Sequence, residues 1–309
     1  MNFISINVRG IGVEGKTGWV RRLKEANGIS FMAIQEMQCG NIGRYDYSRL
    51  WGREDVETVV VEPSGRSGGL VNLWNPKVFI KEAELLDKKN LLTSGRLVED
   101  GLLLNILNVY APQNVVEKRV LWEKIKGVMR DRQGWWVLLG DFNVVRYPEE
   151  RKNSRFNNVS AGDFNSFINE MCLREYVMRG NKFTFLAGKG KGFKMSKIDR
   201  VLVCQNFLDK WPEACLRALP RELSDHCPLV LTVVNRNYGA KPFRWFNSWI
   251  ERDGCRELVN ITLESCVFVG APDEVLSKKF KHLRAVLKKL VGGDHEKRKR
   301  GDGGVERRH

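Results

Sequence analysis

The sequence predicts an α/β sandwich with at least one mixed sheet, and three observations carry that reading. Nine short segments rich in Val, Ile, Leu and aromatics are bounded by Gly, Pro, Asn or Asp, as strands are. Amphipathic helical stretches separate them. Several strands, VLLG among them, are apolar on both faces and belong at the centre of a sheet. In chain order the strands are FISINV (3–8), FMAIQ (31–35), TVVV (58–61), GLVNLW (69–74), LLLNILNVY (102–110), WWVLLG (135–140), FTFLA (183–187), IDRVLV (198–203) and PLVLTVV (228–234). Of the helices, residues 18–27 carry Trp19, Val20 and Leu23 on one face, and residues 115–132 set Leu121, Ile125, Val128 and Met129 on a stripe of period 3.6. Ser160 reads as the N-cap of the next helix, with Asp163 three residues on and Phe164, Phe167, Ile168 and Met171 as its buried face.

Past residue 235 the pattern changes. KPFRWFNSWI (241–250) is aromatic and basic, and residues 273–290 space Leu276, Phe280, Leu283, Leu287 and Leu290 as an amphipathic helix. The chain is therefore expected to divide into a domain over 1–235, a helical connector over 236–292 and a Gly- and charge-rich tail over 293–309, expected to be disordered.

Lys and Arg number 52 against 37 Asp and Glu, a net charge of +15. A surplus of that size points to a polyanionic partner, most often nucleic acid. Residues 1–238 hold 36 basic and 27 acidic side chains, a net of +9, and the remainder carries +6. Apolar residues at 42% exclude wholesale disorder, and no apolar run approaches the roughly 18–20 residues that span a bilayer. The opening MNFISINVRG lacks the basic-then-apolar profile of a secretion signal, so a nuclear or nucleo-cytoplasmic location is expected. Seven cysteines without a C-x-x-C pair read as reduced, mostly packed thiols, neither a disulfide framework nor a zinc site.

Gly10–Thr17 (GIGVEGKT) matches the phosphate-loop pattern G-x-x-x-x-G-K-[ST] between a strand and a helix, and Asp141 after WWVLLG could serve as its acid. That reading uses two segments and leaves the remaining polar positions idle, so it is set aside. Those positions recur where strands end: Asn7, Glu36, Tyr110, Asp141 with Asn143, Asp199, and Asp225 with His226. An acid at a buried strand end is costly unless paired, hydrogen-bonded or bound to a metal. His226 is the one histidine of residues 1–235, and it stands beside an acid before a Pro-led strand. Carboxylate and amide oxygens suit a hard cation such as Mg²⁺, with Mn²⁺ as a substitute, and not zinc. One histidine, several acids and a hard metal form a plausible phosphoryl-ester hydrolase.

Taken in order, SINVRG, QE, SGGL, NVYAP, GDFN, SKIDR and SDHCPL resemble the endonuclease/exonuclease/phosphatase superfamily over about residues 1–235. The likeness is nearest to the endonuclease domain of plant LINE-type (non-LTR) retrotransposons, and more distant to apurinic/apyrimidinic endonucleases. The resemblance implies a four-layer α/β sandwich, two packed mixed sheets flanked by helices, and a Mg²⁺-dependent DNA endonuclease leaving 3′-OH and 5′-phosphate ends. It implies that Glu36 coordinates the metal with Asn7 in or beside its shell, and that Asp225 supports the metal and water network. Asp141 would orient and deprotonate the attacking water, Asn143 would hold the scissile phosphate, and Tyr110 would donate to a phosphate oxygen or aid the leaving group. His226 would stabilise charge, oriented by Asp199. Where apurinic endonucleases carry an acid two residues after the first Asn, this chain has Arg9; Met37-Gln38 and Ile6 are further departures. No Asp-Asp pair of a reverse transcriptase box occurs in the chain, which reads as a monomeric nuclease portion of such an element.

DNA contacts are expected from Lys189, Lys191, Lys194 and Lys197, on a Gly/Lys-rich tip just before Asp199, and from Arg66. Arg44 and residues 151–155 could extend the track. The alternatives are a catalytically inactive nucleic-acid-binding remnant and a phosphatase or phosphodiesterase of the same superfamily.

Overall fold

A computed structural model of the chain describes residues 1–38, 45–63, 68–188, 192–233, 254–265 and 278–283, with a few further positions between 268 and 286. Two compact units meet in sequence at Asn235 and Arg236. In the first, the elements run β1 (Phe3–Asn7), α1 (Lys16–Asn27), β2 (Phe31–Gln35), α2 (Ser48–Trp51), β3 (Glu57–Val61), β4 (Leu70–Trp74), β5 (Phe79–Asp87), β6 (Asn90–Leu97), β7 (Leu103–Tyr110), α3 (Val115–Arg130), β8 (Trp135–Asp141) and β9 (Arg151–Lys152). They continue with α4 (Asn158–Glu170), β10 (Leu173–Glu175), β11 (Met178–Gly180), β12 (Phe185–Ala187), β13 (Lys194–Ser196), β14 (Asp199–Cys204), α5 (Gln205–Lys210), β15 (Cys215–Ala218) and β16 (Leu229–Thr232).

Two mixed sheets stack face to face. One has the order β11-β15-β16-β1-β2-β4-β3, the other β10-β14-β8-β7-β6-β5, and a small third sheet β12-β13-β9 bridges through Phe185 to His226. Strand period two sorts each strand's side chains between the layers. Phe3, Phe31, Ala33, Leu104, Ile106, Val137, Leu139, Val201 and Val203 fill the space between the sheets. The alternate residues Ile4, Ile6, Met32 and Ile34 meet Trp19 and Val20 of α1 and Leu50 and Trp51 of α2. On the far side, Leu107, Val109, Leu138 and Leu202 meet Leu121, Trp122 and Ile125 of α3 and Phe164 and Phe167 of α4. Helices, sheet, sheet and helices make the four layers. β8 and β7, apolar on both faces in sequence, are central in their sheet.

A chain of side-chain amides crosses this apolar interior. Gln35 donates to Asn108 (2.7 Å), Asn108 to Asn72 (3.0 Å), and Asn72 to the Thr93 hydroxyl (3.0 Å), all four residues fully buried. The same amides also bond the carbonyls of Ala33, Ile34 and Val71, so the chain spans β2 and β4 of one sheet and β6 and β7 of the other. Buried amides are tolerated where they find such partners.

Two expectations on elements are corrected. The N-cap of α4 is Asn157, whose Oδ1 accepts from the Ser160 N–H, so Ser160 lies inside the first turn. The β5–β6 hairpin, absent from the sequence reading, forms one edge of the second sheet. In the second unit, α6 (Cys255–Ser265) packs Cys255 with Leu258, Val259, Leu263 and Leu283. The helix expected over 273–290 falls partly outside the described residues; positions 278–283 are helical. The segment 241–250 and the tail 293–309 fall wholly outside them. Among the described residues no helix is long and apolar enough to cross a membrane.

Candidate active site

The strand ends deliver polar residues to one rim of the sandwich by the same alternation that builds its core. In β1, Phe3 faces the other sheet, so Asn7 does also; in β8 and β14 the inner series Val137, Leu139 and Val203, Val201 lead to Asp141 and Asp199. Pairing sets Tyr110 beside Asp141 and Asp141 beside Asp199 across three adjacent strands. Glu36 breaks the pattern, since Gln35 is already the inward residue of β2. It takes a left-handed backbone, φ 54°, and this turns its carboxylate to the same rim.

Asn7 bridges the two halves. Its amide nitrogen donates to Glu36 Oε1 (3.1 Å) and to Asp141 Oδ2 (3.2 Å), one acid on each sheet. Its oxygen accepts the Arg9 N–H (3.1 Å). Asn7, expected in or beside a metal shell, thus stands beside the Glu36 acid, where its nitrogen aligns the two carboxylates. Gln38 donates to the other Glu36 oxygen (3.0 Å).

Asp199 and His226 form a buried pair. Nδ1 of His226 lies 2.9 Å from each Asp199 oxygen, and both residues are about 4% exposed. The Thr184 hydroxyl accepts the Asp199 N–H (3.0 Å), and the ring of Phe185 packs 4.7 Å from the imidazole. Burial acts to lower the imidazole pKa, but Asp199, aided by Asp141 and Glu36, raises it to about 9, so the ring is an imidazolium at neutral pH. Its Nε2 stands 4.0 Å from Asp141 Oδ2. Burial first, then the charge of Asp199, holds the Asp141 carboxyl well above the usual carboxylate range. Asn143, at φ 50°, donates its backbone N–H to Asp141 Oδ1 (2.9 Å) and its side-chain amide to the Ala111 carbonyl (2.8 Å). Burial, and then Glu36 as charge and hydrogen-bond acceptor, pushes the Tyr110 hydroxyl far above its ordinary pKa, so it stays protonated.

Asp225 immediately precedes His226. Its Oδ2 pairs with Arg9, an ion pair that closes the loop after β1 onto the loop before β16, and its Oδ1 is buried without a partner among the described residues. Ser224 ties the same two loops, donating to the Asn7 carbonyl (2.7 Å). Lys16 of the phosphate-loop pattern is 4% exposed, and its ammonium donates to the carbonyls of Val8, Arg9 and Gly10. That lysine braces the loop carrying Arg9 and faces no phosphate cradle.

Of the expected DNA contacts, Arg66, Lys189 and Lys191 lie outside the described residues, as does Arg44, and Lys194 is exposed on β13. Lys197 is corrected: it turns to Glu175 (2.7 Å) within a cluster where Arg200, fully buried, pairs with Glu150 and Glu175. Two nearly buried carboxylates require cations there. The sequence reading missed Lys118, which is 6% exposed and donates to the Asn143 carbonyl (2.6 Å). The signal was present, since Lys118 falls on the same apolar stripe of α3 as Leu121 and Ile125.

For a metal, Asp141, Asp199 and His226 offer ligand atoms within 4.8 Å of one another. Both Asp199 oxygens already face His226 Nδ1, however. The Glu36 carboxylate beside Asp141 is the better seat, since its oxygen donors suit a hard divalent cation.

Two stacked mixed sheets between helices are the fold of solved apurinic/apyrimidinic endonucleases and of an endonuclease/exonuclease/phosphatase family protein. An AP endonuclease of Leishmania major superposes with a TM-score of 0.59 at 16% identity, over 74% of this chain and 86% of that one. The endonuclease domain of TRAS1, a telomere-specific non-LTR retrotransposon, gives 0.57 at 16%, over 76% and 99%. In sequence, the chain is 24% identical over 209 residues to the Transposon TX1 uncharacterized 149 kDa protein of Xenopus laevis, covering 63% of this chain and 16% of that protein's length. No family model matches. The fold read from the sequence motifs is thereby found again, and the chain is similar in sequence to part of a transposon protein.

Proposed function

We propose that the protein is a divalent-metal-dependent DNA endonuclease of retroelement type that uses Mg²⁺, with Mn²⁺ as a substitute, and leaves 3′-OH and 5′-phosphate ends. The observation that supports it is the meeting of Asn7, Glu36, Tyr110, Asp141, Asn143, Asp199 and His226 at one rim. A cation held by Glu36 would supply Lewis-acid stabilisation of phosphoryl oxygen charge. Asp141, with its raised affinity for a proton, accepts one from the attacking water. His226, fixed by Asp199 through Nδ1, presents Nε2–H to a phosphate oxygen where charge accumulates. As the P–O3′ bond breaks, the protonated Tyr110 hydroxyl stands ready to donate to the departing oxygen.

Nicking of supercoiled plasmid tests this. The wild type is expected to nick with Mg²⁺ and to stop on addition of EDTA, while Glu36→Ala and His226→Ala each lose about 10²–10⁴-fold. A wild type that binds DNA in a salt-dependent way without nicking would leave a binding module and overturn the enzyme.

A further inference from the structure

The turn between β5 and β6 brings to Tyr110 a lysine that the proposed chemistry does not use. β6 begins at the rim, since Asn90 pairs with Val109, the residue before Tyr110. Asp87 ties the turn down twice. Its Oδ1 accepts the Lys89 N–H (2.8 Å) and an Asn90 side-chain N–H (3.2 Å), an Asx turn that closes the hairpin. Its Oδ2 pairs with Lys124 of α3 (2.6 Å). Burial acts to raise the Asp87 carboxyl, but Lys124 and the Lys89 N–H hold it below its ordinary pKa. Lys89 therefore sits in a fixed turn, and both of its ends meet Tyr110. Its carbonyl accepts the Tyr110 N–H (2.9 Å), and its ammonium lies over the phenol ring, 5.4 Å from the centroid. Half-buried Lys89 forms no ion pair among the described residues, and the acid of its own turn is engaged by Lys124. Lys88, its neighbour, is exposed.

The face of an aromatic ring is the negative pole of its quadrupole and attracts an ammonium. The main chain of Tyr110 is clamped on both sides, because the next N–H, of Ala111, goes to the Asp141 carbonyl (2.8 Å). What freedom remains lies in the side-chain torsions. The ring packs against the apolar interior between the sheets, and its hydroxyl bonds Glu36. A hydroxyl that turns to a departing oxygen gives up that bond, and the hold on the ring face then keeps its place. We propose that Lys89 is a positioning residue, which steadies the Tyr110 ring through its face so that the hydroxyl stays directed at the oxygen leaving phosphorus. The proposal rests on the nuclease reading, in which the Tyr110 proton passes to O3′ as the P–O3′ bond opens; Lys89 touches no reacting atom. A lysine that instead contacted a DNA phosphate would act on affinity and its salt dependence. Support of the ring acts on the chemical step alone.

The test uses the full chain and a duplex carrying a nicking site mapped with the wild type. Lys89→Met keeps the stem and loses the charge; it is expected to lower the single-turnover nicking rate about tenfold. DNA affinity in EDTA, and its slope of log K against log salt, should stay at wild-type values. Lys89→Arg keeps a cation for the ring and should stay within about threefold of the wild-type rate. Lys88→Met removes the same charge from the exposed neighbour and should leave the rate unchanged. When sulfur replaces the scissile O3′, the leaving thiolate needs no proton, so the Lys89→Met deficit should vanish. A wild-type rate in Lys89→Met would overturn the proposal, as would a deficit that persists on the sulfur substrate. Weakened binding with a slope reduced by about 1 would overturn it in favour of a phosphate contact. Urea unfolding reads the contact without cleavage: the losses in Lys89→Met and Tyr110→Leu should be non-additive in the double variant, and additive losses would show that the lysine does not hold the ring. A wild type that nicks while the losses are additive and Lys89→Met nicks normally loses only the positioning role. A wild type that does not nick, with non-additive losses, keeps the contact and loses the nuclease, and with it any role of Lys89 in cleavage.

Discussion

Gly140 sits one residue before Asp141 with φ 141°, and an added Cβ there would lie 2.0 Å from the Val109 carbonyl of the neighbouring strand. Only a residue without Cβ lets β8 run that close to β7 while delivering Asp141 to the rim. Gly140→Ala is expected to cost more than about 2 kcal/mol in urea unfolding and to depress nicking beyond the stability loss, because it moves Asp141, the proton acceptor of the proposed reaction. At this scale the sequence was most legible where strand alternation alone orients a side chain, as with Asn7, Asp141 and Asp199. It was least legible for Glu36, whose orientation depends on a left-handed φ, and for Asp225 and Arg9, whose pairing spans 216 residues. Lys16 misleads for a related reason. Its motif describes a loop that cradles phosphate, whereas the folded loop folds back on the ammonium itself.

Between β9, β10, β13 and β14, the Arg200 cluster anchors the strand that starts with Asp199. Burial acts to raise the Glu175 carboxyl, but Arg200, Lys197 and Arg146 hold it below the usual range. A carboxylate depressed in the folded state stabilises fully above its unfolded pKa, about 4.3, and loses that contribution as pH falls through the lower folded value. Glu175→Gln is therefore expected to cost about 3–5 kcal/mol at pH 7. The gap between wild type and variant in urea midpoints should close on titration toward pH 3; a gap that stays constant would contradict this account. Elements with strong local signals, such as α3 and β8, were readable from period alone. The β5–β6 hairpin was not. FIKEAELLD is rich in helix formers, and only its long pairing with β6 makes it a strand, with a register shift between Lys81 and Ala83. Gly95 of β6, where a Cβ would meet the Ile80 carbonyl at 2.1 Å, marks the close approach that a linear reading does not disclose.

Across the whole first unit, Asn7 and Glu36 come from one sheet and Tyr110, Asp141 and Asp199 from the other. The site is therefore a seam. The amide chain from Gln35 through Asn108 and Asn72 to Thr93 ties that seam together beneath the rim. Asn108→Ala would leave Asn72 Oδ1 without its donor and take one of three acceptors from Gln35 Nε2, and is expected to cost about 2–4 kcal/mol, with nicking falling in the same variant even under conditions where it is fully folded. The amide chain also acts as a vernier. Apolar faces can slide past one another at little cost, but amides 3 Å apart admit a single setting. Any displacement of one sheet along the other that this chain resists is one that would also part Glu36 from Asp141. Catalytic alignment and the indexing of the two sheets are thus one mechanical quantity, read at two depths of the same interface.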